Sequence, residues 1–165
     1  MAAGMTYTPL ARTTLTTSST TVTFSSIPAT FTDLVLVISA WGSTAGDAYL
    51  RFNGDTASNY SDTVLRGNGS TASSVRDSNA AGIDMGAIST TFTEFTPIIF
   101  NIQNYSNSTT YKTALGRISN AASVVTAIVG LWRNTAAITS VTCSERTNTG
   151  WQSGSTFTLY GILAA

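Results

Sequence analysis

The chain has 165 residues, of which 42% are hydrophobic and only 10% charged, with no histidine, one cysteine and a formal net charge of zero. That inventory excludes histidine-based proton transfer and the His/Cys metal cages on which many enzymes of this size rely. Eight basic residues balanced by eight acidic ones offer no basic patch, so nucleic-acid binding through phosphate neutralisation is not expected.

Met1 to about Arg12 is polar without a clear face and reads as an extended N-terminal arm, followed by a single domain over residues 13–165. The start lacks the charged and apolar regions of a signal peptide. No apolar run is long enough to span a bilayer as a helix, so no membrane partner is expected. Thr20–Phe24 alternates, with Val22 and Phe24 on one face, and Ile27–Pro28 turns the chain. Asp33–Trp41 is apolar on both faces and reads as a central strand buried on each side. Ala48–Phe52 alternates into Asn53-Gly54-Asp55, a strong turn signal. A short strand is expected near Thr63–Arg66, then a long Ser/Gly/Asn-rich loop over Asn68–Asn79. Ile83 and Met85 alternate with Asp84 and Gly86.

Thr96–Ile102 places Ile98, Phe100 and Ile102 on one face. A turn at Asn104–Ser108 leads to a return strand over Tyr111–Ile118. Ser123–Trp132 is rich in Val, Thr and Ile, which favours a central buried strand over a helix. Ala137–Cys143 and Gly154–Ile162 complete a set of eight to ten strands. That spacing predicts an all-β antiparallel β-sandwich of jelly-roll type.

The candidate chemical groups are few. Asp47 with Asp55 could offer oxygens to Ca²⁺, but Asn53-Gly54-Asp55 is read as a turn and lacks a calcium-loop pattern. No serine or threonine has a histidine to activate it. Lys112 is the only lysine, Glu94 and Glu145 the only glutamates, and no catalytic constellation is built from them. The chain is therefore expected not to be an enzyme and to need no metal or cofactor. Cys143 is read as a buried inert thiol. Trp41 and Trp132 are assigned to the core. Trp151, in a Gly/Ser/Asn loop, joins Tyr105 and Tyr111 as the candidate ligand-contact aromatics.

Several phrases, in order, resemble a family of small structural proteins of tailed bacteriophages, cyanophages especially. They are Tyr7–Leu15, Phe24–Pro28, Thr32–Val37, Phe52–Asp55 with Asn59–Ser61, Asn104–Ser106 leading to Tyr111–Thr113, Gly130–Trp132 with Ala137–Ser140, and Gly154–Ile162. The resemblance implies a virion protein on the outer surface of the particle, made in the host cytoplasm. Family members include head-decoration and tail-fibre proteins, and the resemblance supplies no catalytic residue. A capsid decoration or cement protein is the expected role, with the major capsid protein as partner and a homotrimer as assembly state. Tyr7, Pro9, Leu10 and Arg12 are the expected interface residues. The alternative is a tail or fibre component that binds a host-surface glycan.

Overall fold

The computed structural model describes residues 6–43, 47–120, 123–146 and 150–163. Those residues form twelve strands and no helix. Eight strands make one antiparallel sheet. In spatial order they are β1 (Tyr7–Thr14), β12 (Thr156–Ile162), β3 (Asp33–Ala40), β8 (Thr96–Gln103), β9 (Lys112–Asn120), β10 (Val124–Trp132), β5 (Tyr60–Gly67) and β6 (Ala72–Ala80). The other four make a second antiparallel sheet in the order β2 (Thr21–Phe24), β11 (Val141–Glu145), β4 (Asp47–Phe52) and β7 (Ile83–Ala87). The two pack as an antiparallel β-sandwich.

Period-2 alternation places the core. Leu34, Leu36 and Ile38 of β3 face inward beside Ile98, Phe100 and Ile102 of β8, all buried. Leu50 and Phe52 of β4 lie beside Cys143 and Val141 of β11 on the opposing layer. Side chains from the two inner faces interdigitate, and this is where the stabilising apolar burial is concentrated. The layers approach closely where β7 crosses β10: an ideal Cβ on Gly130 would lie 2.5 Å from Cγ2 of Ile83. Glycine is required there by the approach itself.

Asn53 and Gly54 have φ of 53° and 67°, the left-handed region that Asn and Gly tolerate best. The turn they form is a corner: β4 belongs to the four-stranded sheet and β5 to the eight-stranded one. The Asn53 side chain joins the layers' ends, its Oδ1 accepting from the Thr139 and Ser140 N–H groups at 2.8 and 3.1 Å.

Several expectations are corrected. The expected free arm contains an edge strand: Tyr7–Thr14 pairs with β12 along its length, with an irregularity between Pro9 and Ala11. The expected loop over Asn68–Asn79 is a tight turn followed by β6, paired to β5 from Ala72 to Ala80. Strand β10 is central in hydrogen bonding, between β9 and β5, but it is buried on one face only. Twelve strands replace the eight to ten expected. β2, β4, β7 and β12 and the β8–β9 hairpin occur close to where the alternation placed them.

Candidate interaction surface

Four strands cannot cover eight. Strand β7 packs over β10, β5 and β9, and the other side of the large sheet carries no second layer among the described residues. On this outer face the odd-numbered positions of β10 point away from the core, leaving Val125 61% and Val129 52% exposed. Their cross-strand neighbours extend the apolar surface. One row across the sheet reads Arg117, Ala127, Leu65; the next reads Leu115, Val129, Thr63, Arg76. Leu65 is 56% exposed and Leu115 39%. Contiguous aliphatic side chains on a folded surface mark contact sites more often than accidents. Each such half-exposed residue forgoes roughly 1 kcal/mol of burial.

The charges beside this aliphatic patch are basic; the acid on the same face, Asp33 at the start of β3, accepts from the Asn104 N–H at 2.7 Å. Arg117 and Arg76 are exposed and make no hydrogen bond or ion pair with any described residue. The acidic residues of β5 and β6 have the opposite parity: Asp62 is buried toward β7, and Asp77 stands directly across from it. Beside Arg117, an open depression of about 290 Å³ is lined by Pro97, Ile99, Ile118, Ser119 and Val125. On the far edge strand, Tyr7, Pro9 and Arg12 pair with Ile162, Tyr160 and Thr158. Thr158 and Tyr160 alternate with the buried Phe157 and Leu159, so Pro9 and Arg12 share the outer face. Tyr7 stands edge-on to Tyr160, ring centroids 6.0 Å apart. Leu10, expected as an interface residue, instead packs against the core.

The three aromatic candidates for ligand contact are not brought together as a surface. Trp151 is fully buried, its ring edge-on to Phe157 at 5.2 Å. Tyr105 is fully buried, its hydroxyl donating to the Pro28 carbonyl. Tyr111 alone is exposed. Trp132 lies in the core as assigned, stacked on Tyr60. Trp41 is half-buried at the rim, where it meets Phe92 edge-on at 5.5 Å; Phe92 in turn meets Phe95 at 5.9 Å. These tilted contacts leave no flat aromatic platform at the rim.

The polar groups named from the sequence are committed to holding the fold. The Asp55 carboxylate accepts from the Ala57 N–H (2.9 Å), Asn59 Nδ2 (2.9 Å) and Trp132 Nε1 (2.8 Å). Partial burial opposes its ionisation, but these donors outweigh that and hold its carboxyl below the ordinary value. The Asp47 side chain lies outside the described residues. Among the described residues no group of three or more carboxylates or thiols is placed to hold a metal ion. Lys112 is buried, its Nζ donating to the carbonyls of Thr110 (2.7 Å) and Thr135 (3.0 Å), and burial pulls its pKa down. Cys143 is fully buried, its thiol pushed up to about 12 by desolvation. Glu94 lies in the turn before β8, and Glu145 ends β11.

One charged cluster was not singled out from sequence. Arg66 of β5 reaches across the layers to Asp84 of β7, 3.0 Å away. The Asp84 N–H donates to Asp62 Oδ2 at 3.0 Å, leaving Asp62 Oδ1 buried without a partner. Burial above all raises the Asp62 pKa, reinforced by the Asp84 and Asp77 charges and opposed by the Asp84 N–H bond and then by Arg146. Alternation gave no signal for this cluster, because Asp62 and Arg66 interrupt the inward-facing apolar positions of β5.

No protein-family model matches the chain, and no curated protein matches it. Among solved structures, it is similar to the alginate lyase Aly36B at 12% identity and a TM-score of 0.39, over 93% of this chain and 82% of that one. It is also similar to a sucrose-6-phosphate hydrolase from Lactobacillus gasseri at 14% identity and a TM-score of 0.37, over 88% of this chain and 28% of that one. At those TM-scores neither likeness bears on what the chain binds or does.

Proposed function

We propose that this chain is a non-catalytic structural protein of a bacteriophage virion, a capsid decoration protein that bridges neighbouring major capsid protein subunits and stabilises the shell. The observation that carries the reading is the uncovered face of the large sheet: aliphatic at Leu65, Leu115, Val125 and Val129, with Arg76 and Arg117 beside them making no ion pair among the described residues. An aliphatic patch with a polar and charged margin has the anatomy of a protein–protein contact. The low charge of the chain removes the repulsion that would keep packed copies apart. The resemblance of the ordered phrases to those of phage structural proteins supplies the setting. Glycan adhesion is less well supported, because it needs an exposed aromatic groove and two of its three aromatics are buried.

Quantitative mass spectrometry of purified virions tests the reading. A copy number comparable with the major capsid protein is expected. A few copies per particle would place the chain at the tail, and its absence from the particle would overturn the proposal.

A further inference from the structure

Strand β6 is unusual in having solvent on both faces. Every residue from Ala72 to Asn79 is exposed, and among the described residues the strand pairs only with β5. The four-stranded layer stops short of it: β7 packs on β10, β5 and β9. A sheet edge of this length presents a row of unpaired N–H and C=O groups, a ready template for another strand. The other three edges are guarded or short. β1 carries Pro9 and a register irregularity beside it, and proline donates nothing to a ladder. β2 has four residues. β7 has five, and its pairing with β4 is irregular. β6 has no proline, and its register with β5 runs unbroken from Ala72 to Ser78. Beyond that, Asn79 is tied back, its Oδ1 accepting from Arg133 Nη2 at 3.0 Å.

We infer that β6 is a self-association edge, pairing antiparallel with β6 of a second copy about a two-fold axis at Val75. The side chains select this register. A two-fold normal to the sheet keeps inner positions opposite inner ones, so the centre falls on a residue. Centring on Arg76 or Asp77 would set like charges directly opposite, which destabilises a strand pair. Centring on Val75 uses the whole free edge, with Ala72 opposite Ser78, Ser73 opposite Asp77 and Ser74 opposite Arg76. Each charge then faces a hydroxyl. Val75, 51% exposed in the isolated chain, meets its own copy and shields both side chains. The two large sheets become one, and their outer faces join into a single wider surface. This is a twofold assembly rather than the threefold one expected from sequence, and it stands independently of the capsid reading.

Sedimentation and cysteine cross-linking of the purified chain test it. The contact is small, so association should be weak and is best sought at roughly 100 µM chain. Two-copy particles are expected for wild type. Val75→Lys, which puts a charge on the axis but stays solvated in the single copy, should weaken association at least tenfold with an unchanged melting temperature. In the thiol scan, Val75→Cys should form a covalent dimer when copper phenanthroline oxidises two thiols to one disulfide. Ser73→Cys should not, because position 73 faces position 77. The buried Cys143 provides the unreactive background. A wild-type monomer at that concentration overturns the inference. So does undiminished association of Val75→Lys, or equal cross-linking at 73 and 75. Loss of association in Val129→Asp but not in Val75→Lys would move the contact to the outer face and overturn it equally.

Discussion

Tyr105 shows how an aromatic ring that could stack on a ligand is used instead to close a core. Its ring is fully buried, its hydroxyl donates to the Pro28 carbonyl, and the Phe31 N–H donates to that hydroxyl at 3.4 Å. Tyr105→Phe should therefore cost about 1 kcal/mol in denaturant unfolding, the net worth of the partly buried hydrogen bonds it removes, with no change in any binding activity. Asp62 makes the opposite prediction. Its folded pKa is raised by burial and by Asp84 and Asp77, against the pull of the Asp84 N–H bond and of Arg146. A raised carboxyl pKa means that protonation favours the fold, so this contribution is present at low pH and lost as pH rises through the folded pKa. Asp62→Asn keeps an acceptor for the Asp84 N–H and removes the buried charge. Melting curves against pH should show the variant more stable than wild type at neutral pH. The gain should fade as the pH falls through the raised folded pKa and be gone below the ordinary carboxylate value. A constant difference across that range would reject Asp62 as the titrating group. Neither role was legible in the sequence, since a tyrosine in a turn and an aspartate in a strand look the same buried or exposed.

Among the elements, β1 and β10 separate what alternation reports from what it does not. The first residues of the chain have no apolar face because an edge strand needs only one inward contact, here Leu10 against the core. Deleting residues 1–10 removes that contact and the pairing of Tyr7, Thr8 and Pro9 with β12. The truncation should lose roughly 2–3 kcal/mol of stability, from a half-buried leucine and several ladder hydrogen bonds. An unchanged melting temperature would restore the free-arm reading. In β10, apolar residues on both faces suggest two-sided burial. The inner face is buried against β7, whereas the outer face carries Val125 and Val129 into solvent. Gly130→Ala tests the inner contact: its Cβ would be forced against Ile83, and overpacking of this kind costs about 1–3 kcal/mol. On the other face, Val129→Thr should change stability by less than about 0.5 kcal/mol, as exposed positions generally do, while weakening partner binding.

At the scale of the whole molecule, the unequal layers organise everything else. A four-stranded sheet laid on an eight-stranded one leaves β6 overhanging and one broad face uncovered. Period-2 alternation, β-branched enrichment and the turn at Asn53-Gly54 were sufficient for the sequence to determine an all-β antiparallel sandwich, because each is a local property of one strand or one corner. The lack of histidine likewise restricts proton chemistry without reference to any fold. Only the tertiary structure decided which apolar faces are covered. The same two-sided aliphatic pattern serves β3 and β10; on each, one set of positions (Leu34, Leu36 and Ile38, or Thr126 and Ile128) is buried against the core, whereas the other set of β10 carries Val125 and Val129 into solvent. Coverage depends on how many strands the opposing layer contains and where it ends, and those follow from pairings between residues far apart in the chain.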